Sequence, residues 1–267
     1  MNLKKTFSEL FSVPRLTYRA WKVWRRDFDV FMKTIRINFL PSLIEPILYL
    51  LALGVGLGGF VAPVEGMPYV KFIAPALVAI SVMYGAFFEN TYASFVRMYF
   101  QKTFDAIIAT PVSVEEVIAG ELLWGATRAT INSTTVLAVV ACFGLISSPA
   151  ALLVPLLSFM CGLMFASIAM CFTAIAAEID FFNYPSFLFI TPMFLLSGTF
   201  FPLSTLPPAA QVAAQAVLPL THVVILSRSL TTGVLSSSLL LNTAWVVGVT
   251  AVFFVLSINM MRKRLIK

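Results

Sequence analysis

Residues 70–124 read VKFIAPALVAISVMYGAFFENTYASFVRMYFQKTFDAIIATPVSVEEVIAGELLW. The first part, 70–95, is apolar apart from Lys71 and Glu89 and exceeds the roughly 20 residues that a membrane-spanning helix needs. The stretch then becomes amphipathic. Phe100, Phe104, Ile107 and Ile108 recur at helical spacing, with Gln101, Lys102 and Asp105 between them. Thr110-Pro111 ends that helix, because the residue before a proline leaves the α region. Ser113 followed by Glu116 is a capping box that starts a new helix, and that helix re-enters apolar sequence. The stretch therefore predicts a span, a short surface helix, a tight break and a second span. The surface helix has two readings: it docks into a groove on a soluble partner, or it lies on lipid.

The pattern repeats outward from there. Six candidate spans cover 37–59, 70–95, 117–146, 151–176, 183–201 and 236–260. The chain is 60% hydrophobic and 11% charged, with a mean hydropathy of +0.94. A soluble domain carries about 25% charged residues, so a soluble enzyme, a disordered tail or a nucleic-acid-binding domain is excluded. Strand-period alternation is scarce, which favours helices over a barrel. The predicted fold is an all-α integral membrane protein: a cytoplasmic arm over 1–36, then a six-helix transmembrane domain over 37–267. Fifteen of the eighteen Lys and Arg fall in the arm, in the 97–116 loop (Arg97, Lys102) and in the tail (Arg262, Lys263, Arg264, Lys267), which predicts cytoplasmic termini. The 177–182 loop carries only the acids Glu178 and Asp180, which count little in that rule. No secretory signal peptide is expected, because a long basic stretch precedes the first apolar run.

In the arm, Trp21, Trp24, Phe28 and Phe31 form one stripe, and Arg15, Arg19, Lys22 and Arg26 form another on nearly the opposite face. Ser12 and Pro14 predict the helix start. The expectation is a helix in the cytoplasmic interface, aromatics in lipid, with Arg25 and Arg26 toward headgroups and water. Within the spans, Glu89 lies about 12 Å and Arg128 about 16 Å from the cytoplasmic ends, and Glu45 sits at similar depth. Burying a charge in a membrane is costly, so Arg128 is expected to pair with Glu89 or Glu45, as a structural tie or a functional group. Residues 197–230 hold four prolines and two short helices, 209–218 and 220–230. They predict a re-entrant or outer-leaflet hairpin with His222 and Arg228 at the outer interface, His222 there reading as a hydrogen-bonded packing residue before a functional one.

Catalytic sets are missing. The sequence has no GxxxxGK[ST], no HExxH and no GxSxG, and its single histidine is His222. Cys142, Cys161 and Cys171 lie in apolar runs without a CxxC, so they read as small buried hydrophobes rather than metal ligands or disulfides. A multi-span chain without such chemistry reads as a conduit.

These residues resemble an ABC-2 type transporter permease. The resemblance rests on the arm helix, on TFDAIIATPVS (103–113), and on SGTFFP (197–202) followed by the proline-rich hairpin and PLTH (219–222). EPILYLLALGVGLGGFV (45–61) and YVKFIAPALVAISVMYGAFFENTY (69–92) are similar to the nodulation-type lipo-oligosaccharide exporter branch. The resemblance implies a half-channel in a bacterial inner membrane. Two copies would pair, each with a separate ATPase subunit that binds ATP and Mg. This chain itself would bind no cofactor, metal or nucleic acid. The 98–112 segment matches the family's coupling helix, so Phe100, Phe104, Asp105, Thr110 and Pro111 would contact or shape the ATPase joint, with the arm helix at Trp21–Phe28 as a second contact. Substrates would be amphipathic, lipid-linked or acylated saccharides, passing Tyr49, Tyr84, Phe88, Tyr92, Phe200 and Phe201, with Phe60, Phe87 and Phe194 as further lining candidates. Alternatives are an ABC-2 permease for a drug or other lipid, and a proton-coupled secondary transporter using Glu45 or Glu89. The latter should show an internal repeat, and none is visible.

Overall fold

A computed structural model describes residues 12–234 and 238–266; the side chains of 38, 39, 41, 42 and 55 lie outside that description, as do Lys4, Lys5 and Lys267 of the charge count. Among the described residues the chain is helical and holds no strand. In chain order the helices are α1 (Arg19–Lys33), α2 (Ile35–Tyr49), α3 (Tyr69–Phe88), α4 (Thr103–Ile108), α5 (Val114–Cys142), α6 (Val154–Ile175), α7 (Ile179–Leu196, with internal changes of pitch), α8 (Pro208–Val217), α9 (Pro219–Thr232) and α10 (Ser238–Leu265).

Four helical stretches are long and apolar enough to cross a membrane: Tyr69–Phe100, Pro149–Ile175, Ile179–Leu196 and Ser238–Leu265. They correspond to the second, fourth, fifth and sixth predicted spans. The bent pair α8–α9, with a 90° break, counts as a fifth if taken together. The predicted first span appears as a shorter apolar stretch, Leu43–Gly54. The predicted third span is α5, whose 29 residues extend about 43 Å. It is long enough to cross but carries Glu115, Glu116, Glu121 and Arg128 on its N-terminal half.

Helix α5 is the central element, packed against α1, α3 and α6. Its start is the predicted capping box: the Ser113 hydroxyl accepts from the Glu116 N–H, and the Glu116 carboxylate accepts from the Ser113 N–H at 2.8 Å. Helix α3 does not end where the sequence turns polar. It continues to Phe100 through wide π-helical turns at Glu89–Ala93 and Val96–Phe100. Asn90 and Thr91 bond the carbonyls of Ala86 and Phe87 there. Inserted residues of this kind re-aim side chains.

The arm differs from expectation in two ways. Helix α1 starts at Arg19, not near Ser12, because Ser12 is tied to the last span: Asn259 donates to the Ser12 carbonyl at 2.8 Å. And α1 buries Ala20, Val23, Asp27 and Phe31 against α5, so its inner face rests on protein rather than lipid. The closest approach is at Gly120, where a Cβ would stand 2.5 Å from the Val23 Cβ and 2.8 Å from the Ala20 carbonyl. The aromatic stripe runs along one edge: Trp21 stacks on Trp24 at 4.0 Å, Trp24 on Phe28 at 5.3 Å, and Trp24 donates to the Thr127 hydroxyl. Trp21, Lys22 and Arg25 are exposed.

The hairpin forms as α8 and α9, yet His222 and Arg228 do not face outward. His222 is buried, stacked on Trp245 at 4.0 Å and hydrogen-bonded to Asn242 and the Gln215 carbonyl. The Arg228 guanidinium lies 3.9 Å over Phe72 and donates to the Gly198 and Phe72 carbonyls. Short helices with free backbone carbonyls need buried donors, and these two side chains supply them. All three cysteines are free thiols.

Replacing Gly120 by valine is expected to push α1 off α5 and cost about 1–3 kcal/mol, as overpacking does. The thermal midpoint in detergent, with trypsin sensitivity of the arm, measures it. Gly248→Ala, where a Cβ meets open space, is the control that keeps both unchanged or slightly improved.

Candidate functional site

The polar turn between α3 and α5 is the first part of the site. Lys102 adopts a left-handed conformation (φ 54°), which reverses the chain sharply before α4. Helix α4 turns its apolar stripe inward. Phe104 is fully buried in the core, and Ile107 and Ile108 pack beside it. Phe104, Ile107 and Ile108 are thereby turned to this chain's own core, and of the stripe only Phe100 is left free to meet a partner or lipid. What faces out is Phe100 (60% exposed), Gln101, Asp105, Thr110 and Pro111. Phe104 shapes the turn from beneath. The Thr110 hydroxyl bonds the Ile107 carbonyl at 2.6 Å, and Arg19 of the arm donates to the Pro111 carbonyl, which fixes the far end.

The start of α5 gathers the arm and the tail on the same side of the molecule. Glu115 receives Arg262 of the tail at 2.7 Å and the backbone N–H of Arg15, while Glu116 receives the Thr17 hydroxyl. Arm, tail and turn thus meet on one helical end.

Behind the turn lies a buried charge network. Arg97 binds Glu89 at 2.7 Å and Glu121 at 2.6 Å, and its side chain is 13% exposed. Ser94 donates to Glu121 and Trp124 to Glu89, each at 2.9 Å. Asp27 of α1 is buried beside them and paired with Arg26 at 2.7 Å. The predicted Arg128 pairing with Glu89 or Glu45 is not what forms. Glu89 is taken by Arg97 and Trp124, and the Arg128 guanidinium sits 4.5 Å over the Phe31 ring. Glu45 is exposed on α2. Sequence reasoning missed Arg97, Glu121 and Asp27. Ending the span at residue 95 put Arg97 in a loop, whereas the continued helix brings it back to Glu89. The signal available was Glu121, an acid two helical turns past the cap of a helix entering the membrane.

A cavity of about 650 Å³ opens beside this network, lined by Asp27, Phe31, Phe88, Tyr92 and Arg128 among others. A second, of about 80 Å³, is lined by Glu45, Tyr49 and Phe194. Tyr84 and Asn132 line both. An aromatic series runs along them, Phe200–Phe194 at 5.0 Å, Phe194–Tyr84 at 6.1 Å, Tyr84–Phe88 at 5.5 Å, Phe88–Tyr92 at 5.8 Å and Tyr92–Phe182 at 5.1 Å. Of the predicted lining residues, the structure brings together Tyr49, Tyr84, Phe88, Tyr92, Phe194 and Phe200. Phe87 is fully buried against Phe172 and belongs to the core instead. Phe201 lies outside the series, and Phe60 is 92% exposed beyond the end of α2. Among the described residues no cluster of His, Cys, Asp and Glu is suited to a metal ion.

Residues 18–232 match the family described as ABC-2 type transporter. The chain is 39% identical to Nodulation protein J of Sinorhizobium fredii over 77% of this chain and 78% of that protein. It is 36% identical to Nodulation protein J of Bradyrhizobium diazoefficiens over 96% and 97%. The inner membrane transport permease YadH of Escherichia coli is 25% identical over 70% and 72%. No solved structure matches. The matched region runs from the arm through the turn between α3 and α5 to the hairpin, and with it the chain belongs to the ABC-2 type transporter family as a multi-pass membrane permease subunit.

Proposed function

We propose that this chain is the membrane half of an ATP-driven exporter in a bacterial inner membrane, with six crossings and both termini in the cytoplasm. Two copies pair, and each engages one ATPase subunit that binds ATP and Mg. The cargo is an amphipathic saccharide, acylated or lipid-linked, moved outward. The observation that carries this reading is the turn between α3 and α5: an exposed polar face, Gln101 to Pro111, fixed from beneath by Phe104 and by Arg97.

The geometry suits force transmission. A push on Asp105 or Thr110 reaches α5 through the Pro111–Ser113 cap and reaches α3 through Arg97. Both helices line the large cavity, so a displaced turn reshapes its wall. Aromatic faces spaced 5–6 Å apart give sugar rings successive apolar platforms of similar strength, which permits sliding without a deep trap. The acyl part stays in lipid. The saccharide assignment draws on that series and on the relatives named for nodulation. Glu89, held by two donors, is poorly placed as a mobile proton carrier, which speaks against the secondary-transporter reading.

Three outcomes follow for the permease co-expressed with its ATPase in lipid. Asp105→Arg with Thr110→Arg leaves the thermal midpoint unchanged but removes ATPase co-purification; retained co-purification would place the joint elsewhere. Arg97→Gln strands the buried Glu121 carboxylate and costs about 3–5 kcal/mol, with part recovered in Arg97→Gln/Glu121→Gln; denaturation of the three proteins measures this. Tyr84→Ala with Phe88→Ala lowers export of a fluorescent acyl-saccharide by about tenfold, the factor that about 1.4 kcal/mol represents, while the ATPase stays bound.

A further inference from the structure

Asp27 is the least explained charge in the molecule. It sits in the middle of the arm helix, and its side chain is 3% exposed. One carboxylate oxygen accepts from Arg26 at 2.7 Å. The other, Oδ2, is buried and has no hydrogen-bond donor. Across from Asp27 on α5 stands Glu121: it lies between Gly120, which meets Val23, and Trp124, whose ring is 5.5 Å from Phe31, and it is fully buried and already receives Arg97 and Ser94. Two carboxylates have only acceptors to offer each other, so as a pair of anions they make no bond. With one proton between them they make a short, charge-assisted one.

The surrounding charges favour the single proton. From α1 comes Arg26. From the extended α3 come Glu89 and Arg97. From α5 come Glu121 and Arg128, the latter turned to Phe31. Arg97 is already shared between Glu89 and Glu121, which leaves Asp27 with the half-exposed Arg26. We propose that Asp27 is held as the neutral acid, sharing its proton with Glu121, and that this hydrogen bond fastens the arm helix to the charge network under the coupling turn. The proton exchanges with water through the cavity that Asp27 lines.

The titration has the matching direction. Burial first, and then the Glu121 charge, push the Asp27 carboxyl up to about 8, against the opposing pull of Arg97 and Arg26. The unfolded chain releases this proton near the ordinary value of 3.8, so between there and about 8 the folded state holds a proton that the unfolded state lacks. The contribution to stability is full at the acid end, falls as pH rises through that window and is flat above it. Above the window two anions face each other, and the arm is loosened.

The test does not depend on what is transported. Infrared spectra of the purified permease in lipid are recorded across pH. At neutral pH, where free carboxyls are ionised, the wild type should show the carbonyl stretch of a protonated carboxylic acid, and this band should fade with a midpoint near 8. Asp27→Asn, whose amide can donate to Glu121, should lack the band. Its thermal midpoint should gain on the wild type as pH rises through the window. Glu121→Gln should also abolish the band, because the amide gives Asp27 a donor without the proton. A wild type with no such band at neutral pH overturns the proposal without any variant. So does a band that survives both substitutions, or a pair of midpoint curves that stay parallel across the window.

Discussion

Arg97 is the residue on which the half of the molecule that carries the arm, the 101–111 turn and the tail depends. Its guanidinium ties two acids from different helices, Glu89 near the end of one span and Glu121 within the next. Three buried charges in an apolar protein are tolerable only as a closed set, because each left alone carries several kcal/mol of desolvation. The set is closed by Ser94 and Trp124. Arg97 stands four residues before Gln101, so the network is the foot of the coupling turn. Any movement of the turn must carry the network with it or break it.

The packing around the network is equally constrained. The helices meet at glycines, with Gly120 of α5 against Ala20 and Val23 of the arm, and Gly162 of one span against Ala126 and Ala129 of another. Close backbone approach is how helices associate where lipid removes the hydrophobic driving force. It also leaves little room for sliding between α5 and its neighbours. Arm, turn, tail and α5 are therefore one unit, and the aromatic cavity wall is its outer surface.

Much of this was readable in the sequence, for identifiable reasons. The capping box at Ser113 and Glu116 and the proline break at Pro111 are local chemistry, and they formed where the residues placed them. Four apolar runs long enough to cross a membrane needed only counting. Proline spacing gave the hairpin. The errors share one cause: burial of polar groups follows from tertiary packing, which periodicity does not carry. The π-helical turns after Glu89 changed Arg97 from a loop residue into a partner, and the docking of α1 on Gly120 turned the buried face of the arm to one side of the aromatic stripe, onto Ala20, Val23, Asp27 and Phe31. His222 and Arg228 were placed at the outer interface because they are polar, although His222 was already legible as a hydrogen-bonded packing residue. They are buried because a broken hairpin leaves carbonyls that need donors.

The most direct test is of rigidity. In a background with the three free cysteines replaced, spin labels at Ala106, exposed on the same short helix, and at Val30 report one distance within the unit, and labels at Ala106 of both copies in the proposed dimer report another. With the ATPase subunits attached, ATP binding should leave the first distribution unchanged and shift the second. If the first distribution shifts while the second stays fixed, the turn moves independently of the arm and of Arg97, and coupling through a rigid cytoplasmic unit is contradicted.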